Sequence, residues 1–427
     1  MAMDGKELVE KLAKLSQVQS IKDIPQLTHA LFPGTHCPLM GAAMAVGGIK
    51  DSLIVVVGTD ECTYYTKSMT IHSEKFGGID GRCVSVVLDD HDVTFGSAEK
   101  VQEAFKEIIE EYRPQCVFLV TTCVIEIIGD DFDAISEGLS KLYGIPVLPV
   151  HTEHFKCEDH LPGLERTITV CAEMMKSCDC ENSVNLLGQR MGDFATTELY
   201  AMLQKAGVKI GLQLPCGCSV DDIKNAAAAK VNIVVNDIAL PLAQKMQEKF
   251  GIPYVYFNKF VIPEKIYEAY KNLFVYLDLE LPGELEGLYQ NAREKIEKNK
   301  GELEGITYIY GNTPYAVFEM NCFLSSLGMV PQVIQTNRYT EADEPYAKEI
   351  LQYTDPYVCK AANIAPLQYV YDVLSPYLYL GHEFGNRLRQ KGIAIVDSDR
   401  ASGMLGFEVT GYLLQQLVKS VREAKEY

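Results

Sequence analysis

"FLVTTCVIEIIGDD", residues Phe118–Asp131, decides the fold. It reads as a buried strand that runs into a threonine pair and Cys123, after which a short acidic stretch leads into a helix. A phosphate-binding α/β protein puts glycines at that strand mouth; this chain puts a thiol there. Outward from this stretch, short Val- and Ile-rich runs alternate with helical segments over most of the 427 residues. Runs such as "SLIVVVG" (52–58), "IPVLPVH" (145–151), "VKIGLQL" (208–214), "VNIVVN" (231–236), "ITYIYGN" (306–312) and "IAIVDS" (393–398) read as strands. They lack strict alternation, as parallel strands covered on both faces do. Between them lie helices such as "AEKVQEAFKEIIEEY" (98–112) and "PLAQKMQEKFG" (241–251), the second closing on Gly251. Strand–helix–strand alternation predicts an α/β fold of three doubly wound, Rossmann-like domains with parallel sheets and right-handed crossovers. The boundaries fall near 185, after "CAEMMKSCDCEN", and near 300, in the charged helix "NAREKIEKNKGELEG". The expected domains are residues 1–185, 186–300 and 301–427.

The composition narrows the function. A formal charge of −19 repels a phosphate backbone, so no nucleic-acid partner is expected. No apolar run reaches the roughly 20 residues of a membrane span, and "MAMDGKELVEKLAKLSQ" reads as an amphipathic helix with Leu8, Leu12 and Leu15 on one face. A cytoplasmic protein follows. The 13 cysteines of such a chain are buried, metal-bound or catalytic rather than disulfide staples. C-x-C occurs twice, at Cys178/Cys180 and Cys216/Cys218, and C-x-x-C never, so any cluster site must draw on distant segments.

In open α/β sheets ligands collect at the carboxyl ends of strands. Cys62 in "IVVVGTDECTYYT" and Cys123 sit there, while Cys37 lies in "FPGTHCPLMGAA", where Pro33-Gly34 forces a turn ahead of a helix start. Their separations, 62 − 37 = 25 and 123 − 62 = 61 residues, fit no local motif, yet one sheet edge can gather all three. Thiolates suit an iron–sulfur cluster, and ordinary buried thiols are the competing reading. Cys116, Cys171 and Cys322 fit that second description. Cys216 and Cys218 in "QLPCGCSVDD" follow a strand, and Gly217 permits a bend turning both toward one metal; the alternative is a helix-capping turn with incidental thiols. "HTEHFKCEDHLPG" holds His151, His154, Cys157 and His160, with His160 the proton-donor candidate because histidine titrates near neutral pH. His72 and His91 stand near the cysteine loops, and His382 is expected to begin a helix with Glu383 in its first turn.

Taken together, "PGTHCP", "VVVGTDECTYY", "DDHDVTFGSAEKVQEAFKEIIEEYRP" and "VTTCVIEIIGDD" resemble the first domain of the nitrogenase component 1 superfamily. That group spans molybdenum–iron protein subunits, cofactor-assembly homologues and dark-operative protochlorophyllide reductase subunits. The resemblance covers residues 30–200 well and continues through "KVNIVVND", "YGNTPYAVFEMNCFLSSLGMVP" and the segment from "GHEFGNRL" to "GYLLQQL". It implies domains around a central cavity and an iron–sulfur cluster, [4Fe–4S] or P-cluster-like, on Cys37, Cys62 and Cys123 at the interface with a homologous component 1 subunit. It implies an ATP-hydrolysing iron protein as electron donor; this chain has no G-x-x-x-x-G-K-[ST] motif, so nucleotide hydrolysis falls to that partner. The catalytic subunits hold their active-site metal with a cysteine in the middle domain and a histidine near the C-terminus. Asn236 and Asp237 stand at the first position, and "IVDSDRASGMLG" contains no histidine. The resemblance therefore implies a reductase acting on an organic substrate, or on a second metal cluster held by other residues, rather than on dinitrogen. A non-catalytic assembly scaffold for a nitrogenase-type cofactor is the alternative.

Overall fold

The computed structural model describes residues 4–27, 36–71, 81–157, 159–190, 192–311, 313, 315–360, 364–383 and 385–426. Pro33, Gly34 and His72 lie outside these residues. The Val-rich run around Val55 becomes strand β1 (Ser52–Gly58), and every one of its residues is buried. It pairs in parallel with β2 (Cys83–Val87) on one side and β3 (Cys116–Thr121) on the other, and β4 (Val147–Val150) completes the order β2-β1-β3-β4. A second sheet, in the order β8-β7-β5-β6, contains β5 (Glu181–Gln189), β6 (Lys209–Pro215), β7 (Ala229–Val234) and β8 (Tyr254–Tyr256), all parallel. In the third, β9 (Thr307–Tyr310), β10 (Val330–Gln335), β11 (Tyr357–Cys359), β12 (Leu378–Leu380) and β13 (Ala394–Val396) lie in the parallel order β11-β10-β9-β12-β13. The α/β architecture with parallel sheets is as expected. Burial of both sheet faces explains it, because such strands need no polar face.

Two boundary details differ from the expectation. The break near 185 falls inside β5, whose first two residues, Glu181 and Asn182, are exposed and polar and hide the strand's start. The segment before residue 28 does not join the first sheet. Ala13–Lys14 pairs antiparallel with β11, Ser16 bonds Asp355, and Leu8, Leu12 and Leu27 pack with Leu367 and Tyr371. The expected amphipathic helix is cut short at Gly5–Glu10, so that of its three leucines only Leu8 lies on it, while Leu12 follows the helix and Leu15 opens a 3-10 turn after the Ala13–Lys14 pairing.

The opening stretch is now legible atom by atom. Thr122 Oγ1 donates to the Val57 carbonyl at 2.9 Å, and Thr121 Oγ1 reaches the Val150 carbonyl at 3.3 Å. The threonine pair thereby ties the ends of β1, β3 and β4 together. Gly58 makes room, since a Cβ there would meet Thr122 Oγ1 at 2.1 Å. The acids that follow are caps: Asp131 accepts from Ala134 N at 2.9 Å, and Asp130 accepts from Ser97 N and Oγ at 2.7 and 2.6 Å.

Candidate metal centre and interdomain cleft

β1 connects to β2 on one side and β3 lies on the other, so a topological switch-point crevice opens between the carboxyl ends of β1 and β3. Cys62 and Cys123 flank it. Cys62 is the third residue of helix Asp60–Ile71, and Thr59 Oγ1 donates to its sulfur at 3.6 Å. Cys123 opens helix Cys123–Ile128 and takes hydrogen bonds from the backbone N–H groups of Cys123 and Val124. Cys37 arrives from a different segment, as the N-cap of helix Pro38–Gly47. Pro38 sets that helix's first turn, and Arg82 donates to the carbonyls of Gly47 and Ile49 at its far end.

The lateral position of the Cys37 helix is set by two glycines. A Cβ on Gly163 would lie 1.8 Å from the Pro38 carbonyl oxygen, and one on Gly41 would lie 1.9 Å from that of His160. Backbone therefore meets backbone where Pro38–Gly47 crosses Leu161–Val170. The same contact positions Cys37 and His160.

All three thiols are free and half-buried, and Cys37 and Cys62 pack against the core cluster containing Leu39, Val56 and Phe118. Burial first, then the nearby Cys62 and Cys37, pushes the Cys123 thiol above its ordinary range. No basic side chain is among the groups that bear on it. Were all three to ionise together they would need a positive counter-charge, for which iron is the soft-ligand match. Among the described residues no three His, Cys, Asp or Glu groups close around a single ion. A single ion draws its sulfurs to about 2.3 Å, whereas a cluster presents a separate iron to each thiolate and accepts a wider triangle.

The other C-x-C pair divides. Cys218 joins the two-residue ribbon with Ile49, lies in the core beside Leu39 and Val220, and is pushed up to about 12 by burial. Cys216 stays partly exposed, with its thiol 3.2 Å from the Arg190 carbonyl. Among the four groups of the 151–160 loop, His151 Nε2 lies 3.3 Å from Asp133, exposed His154 sits edge-on to Phe155, and Cys157 contacts Arg166 at 3.7 Å. Only His160 is set among Arg190, Arg338, Asp159 and His36. Burial, then Arg190, lowers its pKa from 6.5 to about 4. The expectation of titration near neutrality is not met, because a cation here would be both desolvated and repelled. At neutral pH His160 offers a neutral N–H. NMR of labelled histidine should find one imidazole titrating near pH 4, absent in His160→Gln. Its sign is fixed: the unfolded chain binds that proton from pH 6.5 downward and the folded chain only near 4, so stability falls across that window as pH drops. A His160 titration at 6 or above contradicts this.

Exposed His91 lies against Phe95 in a tilted ring contact, and His382 lies before helix Gly385–Gln390 rather than starting it, with Nε2 3.2 Å from Asp399. Residues missed from sequence are Arg190, Lys259 and Arg338, which follow β5, β8 and β10: Arg190 and Arg338 act on His160, Arg190 also on Cys216, and Lys259 neighbours Arg190. No sequence motif marks them.

The family model for nitrogenase component 1 type oxidoreductases matches residues 37–422. The chain belongs to this family. Among family members, the nitrogenase iron–molybdenum cofactor biosynthesis protein NifE of Clostridium pasteurianum is 30% identical over 51% of this chain and 49% of its own length. NifE of Rippkaea orientalis is 25% identical over 74% and 69%, and the nitrogenase molybdenum–iron protein alpha chain of Methanosarcina barkeri 24% over 74% and 62%. The chain thus matches about half the length of the first of these relatives. A solved structure, nitrogenase Cp1 at pH 6.5, superposes with a TM-score of 0.75 at 14% identity, covering 94% of this chain and 95% of that one. That likeness shows the fold. No helix among the described residues is long and apolar enough to cross a membrane.

Proposed function

We propose that this chain is one subunit of a nitrogenase-like two-component reductase. Cys37, Cys62 and Cys123 would hold an iron–sulfur cluster against a homologous subunit, [4Fe–4S] or P-cluster-like. The observation that supports the reading is that Cys62 and Cys37 both act on the Cys123 thiol, all three being half-buried, with no basic side chain among the groups acting on Cys123. When bound, the cluster supplies one-electron relay between a docked donor and the cleft. The chain's own residues do the rest. The threonine ties hold the strand ends rigid, the Gly41 and Gly163 contact fixes Cys37, and N–H groups of Cys123 and Val124 stabilise anionic sulfur. Exposed Tyr64, Tyr65, Phe95 and Ile127 on neighbouring helices form an apolar rim suited to a subunit that excludes water. The electron donor is an ATP-hydrolysing iron protein, and the reduced species is an organic substrate or a cofactor in the cleft. His160 would take up a proton when negative charge arrives beside it and raises its proton affinity, and would then pass that proton on as imidazolium.

An assembly scaffold for a nitrogenase-type cofactor is the second reading, favoured by the NifE names among the relatives. The test mixes the anaerobically purified complex with an iron protein. Bleaching of its visible absorption that needs both iron protein and ATP supports electron transfer. Equal reduction without ATP rejects the two-component reading. Release of a metal cofactor to an apo-acceptor, without turnover of small molecules, selects the scaffold.

A further inference from the structure

Among the described residues only two cysteines are exposed, Cys178 and Cys180, while all the others are buried or half-buried. Cysteine is among the residue types most often buried, so two water-facing thiols with a single residue between them call for a reason. They lie in the run 176–182, exposed at every position, between Met175 in the core and Ser183 within β5. Both ends of the run are pinned: Lys176 N donates to the Lys224 carbonyl at 2.9 Å, and Asn182 Nδ2 to the Gly207 carbonyl at 3.2 Å. The thiols between them hold nothing together. Cys178 Sγ donates to the Lys176 carbonyl at 3.3 Å and stands 4.0 Å from Asn225 Oδ1, and Cys180 Sγ is 3.8 Å from the carbonyl of its neighbour Glu181. The pair is also remote from the interdomain cleft. It precedes the amino end of β5, whereas Arg190 and the cleft follow its carboxyl end, nine residues or roughly 26 Å further on. Two residues of chain span at most about 7 Å, which overlaps the Cα separations of about 4.4–6.8 Å that a disulfide accepts. Asp179 and Glu181 flank the thiols with exposed carboxylates, and Lys176 is the one cation of the run.

We infer that Cys178 and Cys180 form a thiol–disulfide exchange site for small disulfides of neutral or positive charge. One cysteine thiolate attacks a sulfur of R–S–S–R, forming a mixed disulfide and releasing RS⁻. The other thiolate attacks the cysteine sulfur of that mixed disulfide, closing the Cys178–Cys180 bond and releasing the second RS⁻. The two protons given up by the cysteines leave on the two RSH, and two electrons pass from the pair to the small disulfide. Exposure admits the reagent, the short connection favours the closing step, and the flanking carboxylates on a chain of formal charge −19 disfavour an anionic reagent. Exposed disulfides are the labile ones, so the reverse reaction with small thiols restores the pair. The inference goes beyond the reductase reading and does not depend on it.

The probe is cystamine, mixed with the full chain purified without oxygen, with dithiodiglycolate as the anionic control. Reacted thiols are located by alkylation and mass mapping of the tryptic peptide 177–190, which carries both cysteines. The parent should release two small thiols per chain and yield that peptide with an internal disulfide and no adduct. Cys178→Ser and Cys180→Ser, both at exposed positions outside the core, should each release one small thiol and keep an adduct on the remaining cysteine. Cystamine should react about 10-fold faster than dithiodiglycolate at low salt, with the gap closing as salt rises. Iron content should be the same before and after the reaction and in both serine variants. A parent that keeps an adduct on each cysteine, or leaves both free while other thiols react, overturns the inference. Equal rates for the two disulfides at low salt overturn its charge selectivity. A metal ion that co-purifies on the pair and blocks exchange until chelated would make the site a metal ligand set instead. Loss of iron in either serine variant would tie the pair to the metal centre and overturn its independence.

Discussion

Cys62→Ala and Cys123→Ala, purified without oxygen, should each lose the iron, acid-labile sulfide and broad visible absorption of the parent, down to the level of a protein without a cluster. Each thiol serves a separate position of a site that has three donors from this chain. Removing one leaves an iron open to water, and the remaining sulfurs stand on rigid strand ends and helix starts that cannot swing across the gap. The fold itself should persist, since both residues are half-buried at an edge and neither sits in the centre of a core cluster. Cys116→Ala is the contrasting variant. Its thiol, fully buried within β3 and pushed up to about 12, is a packing group, so iron should remain while stability drops by about 1 kcal/mol or more. Full iron in both Cys62 and Cys123 variants would remove the metal centre from this edge of the sheet.

The second large effect touches no donor atom. In Gly163→Ala the new methyl would fall 1.8 Å from the Pro38 carbonyl oxygen and 2.5 Å from its carbon. Neither neighbour is a flexible side chain, so the helices Pro38–Gly47 and Leu161–Val170 must part. We expect a loss of about 3 kcal/mol, the upper range for overpacking, read as a lower denaturant midpoint. Iron retention should fall as well, because Cys37 rides on the displaced helix. Gly138→Ala provides the internal control. It lies in helix Phe132–Tyr143 with open space around its Cβ position, and should stabilise by up to about 1 kcal/mol. A Gly163→Ala protein as stable as its parent would refute the close crossing.

How much of this was readable beforehand follows from the length of each signal. β1 and β3 announce themselves because six or seven buried residues in a row need no alternation. β2, β11 and β12, of five, three and three residues, went unread; length alone is not the reason, since three-residue β13 was read within the longer apolar run "IAIVDS". Cys62 and Cys123 stood out because strand ends are where α/β proteins bind ligands, but position alone left ordinary buried thiols as an equal reading, and the family resemblance is what joined them with Cys37 as a proposed ligand set. The cations did not stand out. Arg190, Lys259 and Arg338 are separated by 259 − 190 = 69 and 338 − 259 = 79 residues, and each is an ordinary loop residue in the sequence, two following strands of the second sheet and one a strand of the third. His160 shows the same limit from the other side: its place in the chain was visible, but its proton affinity depends on neighbours that arrive from elsewhere.

The pairing of Ala13–Lys14 with Tyr357–Cys359 also sets an order of events in the cell. Ser16 and its bonding partner Asp355 are 339 positions apart. At ribosomal speeds of roughly 5–20 residues per second, the early segment waits roughly twenty seconds to over a minute before its docking edge exists. During that interval its leucines are available to chaperones. Once in place, it closes one border of the third sheet, so that a nascent chain seals that sheet with a segment synthesised long before it.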